Sequence, residues 1–178
     1  FDKSLNTLRQ LDQIYNNRIQ TVFSTKHNIQ NALRMADLVI GAVLIPGAKA
    51  PKLVSRKDLK LMKPGSAIVD VAVDQGGCFE TTRATTHEKP TFIEEGIVHY
   101  CVANMPGALA RTSTQALNNA TLPFVLELAN KGVKKALTEN HHLRQGLNIT
   151  QSHITCPAVG SAQNKTSLTP EKALSLLQ

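Results

Sequence analysis

The sequence predicts an α/β fold over roughly its first hundred residues, a parallel sheet with helices packed against it. Three observations carry this. Apolar runs rich in β-branched residues recur at Ala36–Leu44, Ala67–Val73 and Ile97–Val102, each under about ten residues and so better suited to strand than to buried helix. Stretches with helical spacing separate them. Pro-Gly pairs at Pro46-Gly47, Pro64-Gly65 and Pro106-Gly107 mark the turns.

Each element follows in order. Leu5, Leu8, Leu11 and Ile14 recur at threefold spacing behind Ser4, an N-cap residue, and predict a helix over 5–15. Ile19 to Phe23 reads as a short strand, and Ile29, Leu33 and Met35 as a short helix. Ala36–Leu44 is apolar at nearly every position after Asp37, the pattern of a strand covered on both faces. Ser55 with Asp58 three residues later caps a helix running to about Met62. The strands Ala67–Val73 and Ile97–Val102 complete the sheet. Thr112 to Ala129 reads as a long helix, broken or kinked near Pro123 and stopped by Gly132. A second helix covers 133–138. Beyond Gly146 the chain turns polar, and only Pro170 to Leu177 looks helical.

Composition narrows the function. The chain has 178 residues, 42% of them apolar and 19% charged, a globular balance that fits one domain or one domain plus a piece of another. The formal charge of +7 permits an anionic partner. Lys49, Lys52, Arg56, Lys57, Lys60 and Lys63 crowd one stretch, but no aromatic side chain is interleaved for base stacking, so we read a solvated helix face and expect no nucleic acid. No run of about eighteen apolar residues exists to span a bilayer. Cys78, Cys101 and Cys156 are odd in number and widely spaced, which argues for free thiols in the cytoplasm. His99 and Cys101 sit two apart, but no second ligand pair stands at zinc spacing, so no metal is expected. His99 and Cys78 read as packed core residues, and His141-His142 as helix surface. Phe1-Asp2-Lys3 carries neither an initiating Met nor a signal-peptide pattern, and the expectation is a part of a longer chain.

In an open parallel sheet, ligands bind beyond the carboxyl ends of the strands. Three turns occupy that position: Leu44-Ile45-Pro46-Gly47, Asp74-Gln75-Gly76-Gly77-Cys78 and Ala103-Asn104-Met105-Pro106-Gly107. Asp74 and Asn104 either cap these turns or reach a ligand. Phe1-Asp2 has the form of a strand end followed by a helix, where a dinucleotide fold places the acid that binds the adenosine ribose. The Gly-rich phosphate loop that such a fold requires is not in the sequence.

Three ordered blocks then make the chain resemble a known family. They are Asp37–Val54, Met62–Glu80 with its Val71-Ala72-Val73-Asp74-Gln75-Gly76-Gly77 core, and His99–Gly107 followed by Arg111-Thr112-Ser113-Thr114. Together they resemble the carboxyl-terminal half of the bacterial alanine dehydrogenases, from Asp2 to about Asn148. The resemblance implies the second half of a Rossmann-type doubly wound sheet over 1–106 and a helical segment returning to the catalytic domain over 107–178. It implies NAD as cofactor, with Asp2 on the ribose, Ser24 near the adenine, Val43 and Leu44 along the cofactor, and Arg83 as a further contact. Val71, Ala72, Val73 and Asp74, with Val102, Ala103, Asn104 and Met105, would flank the nicotinamide, and Asp74 would be the catalytic aspartate. A basic cofactor contact of the family is Thr7 here. The implied reaction is reversible oxidative deamination of L-alanine to pyruvate and ammonia, in a cytoplasmic homohexamer. The family's carboxylate-gripping residues lie in its amino-terminal domain, so this chain alone is expected to be inactive. Two alternatives are kept: the related α-type subunit of nicotinamide nucleotide transhydrogenase, and a truncated relic.

Overall fold

A computed structural model describes residues 1–177. They divide into two compact units, Phe1–Leu44 with Lys49–Met105, and Ile45–Ala48 with the chain from Pro106 onward.

The first unit is α/β. Helix α1 (Leu5–Tyr15) starts where the Ser4 hydroxyl accepts the Thr7 N–H at 3.2 Å, and Asn16 ends it in the left-handed region. Thr25 caps α2 (Lys26–Leu33) in the same way. A reciprocal capping box between Ser55 and Asp58 opens α3 (Arg56–Leu59). Strands β1 (Leu38–Gly41), β2 (Ala67–Asp70), β3 (Thr91–Glu94) and β4 (Ile97–Tyr100) form one sheet in the order β1-β2-β4-β3. β1, β2 and β4 run parallel, in the register Val39↔Ile68 and Ile68↔His99. Leu33, Val54, Leu59, Ile68, Phe79 and Ile97 form the core against this sheet.

The α/β class holds, and four details of it need correction. The sheet is mixed, because β3 pairs antiparallel with β4 across the tight Glu95-Gly96 turn, where both residues have positive φ. Ile19–Phe23 is no strand; Phe23 makes only a single parallel bridge, to Asp2. The apolar run at 36–44 is not covered on both faces, for Leu38 and Ile40 remain 56% and 61% exposed while Val39 and Gly41 face the core. Gly41 is fitted closely there: a Cβ would stand 2.7 Å from Phe79 Cε2. The strand expected over Ala67–Val73 stops at Asp70, whose carboxylate turns the chain out of the ladder.

The second unit is mainly helical. α4 (Ala110–Lys131) continues through Pro123 and ends at Gly132. Pro123 removes one backbone donor, yet the span stays unbroken. α5 (Val133–Glu139) packs beside α6 (His141–Gln145), and Glu127 and Lys131 of α4 hold Asn140 and Glu139 at the end of α5. The two-residue strands β5 (Ile149–Thr150) and β6 (His153–Ile154), then α7 (Pro157–Ala162) and α8 (Pro170–Leu174), complete the unit. α6 lies where His141-His142 reads as helix surface, whereas α7 and the β5–β6 hairpin lie beyond Gly146, where the sequence reads as a featureless polar tail. They are too short for periodicity to register, and the hairpin turn is Gln151-Ser152 instead of a Gly-containing pair.

Candidate functional site

Parallel pairing of β1, β2 and β4 brings their carboxyl ends to one edge. Gly41 leads there into Val43 and Leu44, Asp70 into Val71 to Asp74, and Tyr100 into Val102 to Met105. Leu44 and Val71 are 65% and 51% exposed, whereas Ala72, Val73 and Val102 are buried. The edge therefore offers apolar side chains to a flat ligand, with backbone immediately behind them.

Asp74 sits in the middle of a 3-10 turn over Val73–Gln75 and is exposed. Its carboxylate makes no hydrogen bond or ion pair with the described residues. A turn-capping role would engage it, so the capping alternative for Asp74 has no partner here. Asn104 differs. It adopts φ 56, and its carbonyl oxygen accepts from His87 Nε2 at 3.1 Å, which makes it a turn residue tied to the loop before β3. A bridge between Thr85 and Val102 ties the same loop to the chain leaving β4.

The Asp74 turn rests on Asp70, which the sequence reading passed over. Asp70 is 0% exposed. Its Oδ1 accepts the Ala72 N–H at 3.1 Å, and its Oδ2 accepts the Cys78 N–H at 2.8 Å and the Thr82 hydroxyl. From the outer side, Lys52 Nζ donates to the carbonyls of Gly76 and Phe79, the latter at 2.9 Å. A lone carboxylate inside an apolar strand is the signal that could have found Asp70, because a buried charge needs partners.

Asp2 and Ser24 stand together at a second place. The Ser4 N–H occupies Asp2 Oδ1 at 2.7 Å, while Oδ2 accepts nothing from the described residues. Arg83 stacks its guanidinium 4.0 Å above the Phe92 ring, which stacks in turn on His99 at 4.7 Å. His99 is wholly buried. The Ile97 carbonyl can only accept, so Nδ1 carries the proton, and Nε2 accepts from the Thr81 hydroxyl at 2.8 Å. Burial pushes the His99 pKa below the ordinary imidazole value. Burial, above all, pushes the Cys78 thiol up, and the Asp70 carboxylate adds to it. A buried thiol whose pKa is raised is a poor nucleophile. All three cysteines are unpaired, and no cluster of metal-binding side chains exists among the described residues. Among the described residues no helix is long and apolar enough to cross a membrane.

Comparison with known proteins shows the family. The family model described as alanine dehydrogenase/PNT, C-terminal domain, matches residues 1–157. An alanine dehydrogenase of Halomonas elongata is 59% identical over 161 residues, covering 90% of this chain and 43% of that protein. A solved L-alanine dehydrogenase superposes with a TM-score of 0.78 at 47% identity, covering 92% of this chain and 45% of its own. The transhydrogenase from Sinorhizobium meliloti is more distant, with a TM-score of 0.53, 27% identity and coverage of 64% and 32%. The chain thus spans less than half the length of the alanine dehydrogenases it matches.

Proposed function

Because the chain belongs to the alanine dehydrogenase/PNT C-terminal domain family, we propose that it is the cofactor-binding part of an NAD-dependent L-alanine dehydrogenase. The observation that carries the proposal is the unengaged Asp74 carboxylate at the strand-end edge that also carries the exposed Leu44 and Val71. The arrangement fits a dinucleotide. Asp2 Oδ2 is free to accept ribose hydroxyls, with Ser24 beside it at the adenosine end. Leu44 and Val71 offer apolar cover to the nicotinamide ring, and Val43, Ala72, Val73 and Val102 to Met105 supply the backbone along it. Arg83 is a further contact once released from Phe92. The bound NAD supplies the hydride acceptor. The protein must hold the alanine Cα–H toward that acceptor and shield the reaction from water.

Asp74 has the charge that the reaction requires. Loss of hydride from Cα leaves a cationic iminium-type carbon–nitrogen unit, and a carboxylate held nearby stabilises that charge as it develops. The same group orients the water that hydrolyses the imine to pyruvate and ammonia. The reading extends to a cytoplasmic homo-oligomer, a hexamer by resemblance. It is supported by the unpaired cysteines and by α4, which leaves Leu117, Phe124 and Val125 uncovered.

The test uses the full-length protein that contains this chain. With L-alanine and NAD, it should produce NADH, pyruvate and ammonium in equal amounts. Hydride exchange between nicotinamide nucleotides without any alanine-dependent signal would establish the transhydrogenase reading instead, which the lower identity of that relative already disfavours.

A further inference from the structure

We propose that Asp70 is a positioning residue of the reaction: a buried carboxylate that gathers the turn 72–82 onto itself and thereby sets where the Asp74 carboxylate stands. The inference rests on the reading of Asp74 as the charged group of the chemical step. The Asp74 side chain makes no hydrogen bond with the described residues. Its place is fixed only by the backbone that carries it, and that backbone is fixed at both ends by Asp70. The Ala72 N–H enters Oδ1 just before Asp74, and the Cys78 N–H and Thr82 hydroxyl enter Oδ2 just after it.

The arrangement requires a carboxylate and not merely a polar side chain. Three donors converge on two oxygens, and at least one backbone N–H points at each oxygen. An asparagine would offer one acceptor oxygen and one NH2 group. In either orientation the NH2 would oppose a backbone N–H, so one end of the turn would be released. Glycine at 77 is part of the same fit. Its φ is 78, and a Cβ there would collide with Asp70 Oδ2 and with Thr82. Lys52 closes the outer side by holding the Gly76 and Phe79 carbonyls. This gives one residue of the basic stretch a task inside the fold: with Asp70 taking N–H groups and Lys52 donating to carbonyls, the turn is clamped by opposite charges on opposite sides.

The test is a mutant cycle in the full-length enzyme, with kcat, KM for NAD and melting temperature measured on each preparation. Asp70→Asn should lower kcat by about tenfold to a hundredfold, the scale of a misplaced catalytic group, with KM for NAD nearly unchanged. Combined with Asp74→Asn, it should lower kcat no further than Asp74→Asn alone. Thr82→Val removes one donor at constant shape and should lower kcat less, in the same direction, while Thr82→Ser restores it. The Thr82 pair decides the matter if Asp70→Asn does not fold. A normal kcat per folded molecule in Asp70→Asn, or in Thr82→Val if that is the variant available, would overturn the proposal and leave a purely structural residue. So would an equal further loss of kcat in the Asp74→Asn background. A normal kcat in Asp74→Asn alone is a separate result: it removes the reading of Asp74 itself, and this proposal with it.

Discussion

The Ser24 backbone N–H donates to the Asp2 carbonyl oxygen at 2.9 Å, and this bond with the Asp2–Phe23 bridge holds Asp2 and Ser24 on neighbouring chain segments. Asp2 is thereby anchored by its backbone, with Oδ1 on the Ser4 N–H and Oδ2 open. A carboxylate so placed accepts a ribose 2′-hydroxyl and repels a 2′-phosphate. We expect the full-length enzyme to prefer NAD over NADP, and Asp2→Ala to narrow that preference. The ratio of kcat/KM for the two cofactors checks this. An unchanged ratio in Asp2→Ala would take Asp2 out of cofactor selection.

Gly77 carries a second expectation, about stability. Alanine there meets both a positive φ and the space filled by Asp70 and Thr82. Gly77→Ala should therefore destabilise the full-length protein by at least about 1 kcal/mol. Gly65 also has positive φ, but a Cβ there meets nothing within 4 Å, so Gly65→Ala bears only the backbone strain. Urea melts of the two variants give the comparison. A smaller loss for Gly77→Ala than for Gly65→Ala would contradict the described fit.

The pH dependence of stability follows from His99. Its folded pKa lies below the ordinary value of 6.5 because burial disfavours the imidazolium. Between those two values the unfolded chain binds a proton that the folded chain refuses. The His99 contribution is thus fully present above pH 6.5 and is lost as pH falls from there toward the folded pKa. His99→Gln should flatten the melting temperature across that window. An identical slope in variant and parent would mean that another group titrates there.

Much of the fold was legible in the sequence because strong local signals agree with tertiary packing. Ser4 and the Ser55–Asp58 pair cap helices as their spacing requires. The runs at 38–41, 67–70 and 97–100 became the parallel strands. β3 escaped because Thr91–Glu94 is a short edge strand with only alternate burial, and its partner lies across a Glu-Gly turn that lacks the usual Asn-Gly or Asp-Gly signature. At the site, the strand-end rule located Asp74 and Leu44 without any knowledge of contacts. Asp70 was missed because its function is to accept from backbone donors that only the folded turn brings together. Arg83 could be read as a positive charge after the turn, but its stacking on Phe92 depends on the β3 hairpin.

The most direct test of the account is kcat for alanine oxidation by the full-length Asp74→Asn enzyme, with NAD affinity and melting temperature measured on the same preparation. The amide keeps the shape of the side chain and removes the charge. Because the Asp74 carboxylate has no partner in the described chain, folding should not depend on it. We expect kcat to fall by about 10²–10³, the usual consequence of losing one electrostatic contact to a developing charge, with NAD affinity and melting temperature close to those of the parent. A near-normal kcat, or a lowered melting temperature with a normal rate per folded molecule, would contradict the central claim that Asp74 carries the charge of the chemical step.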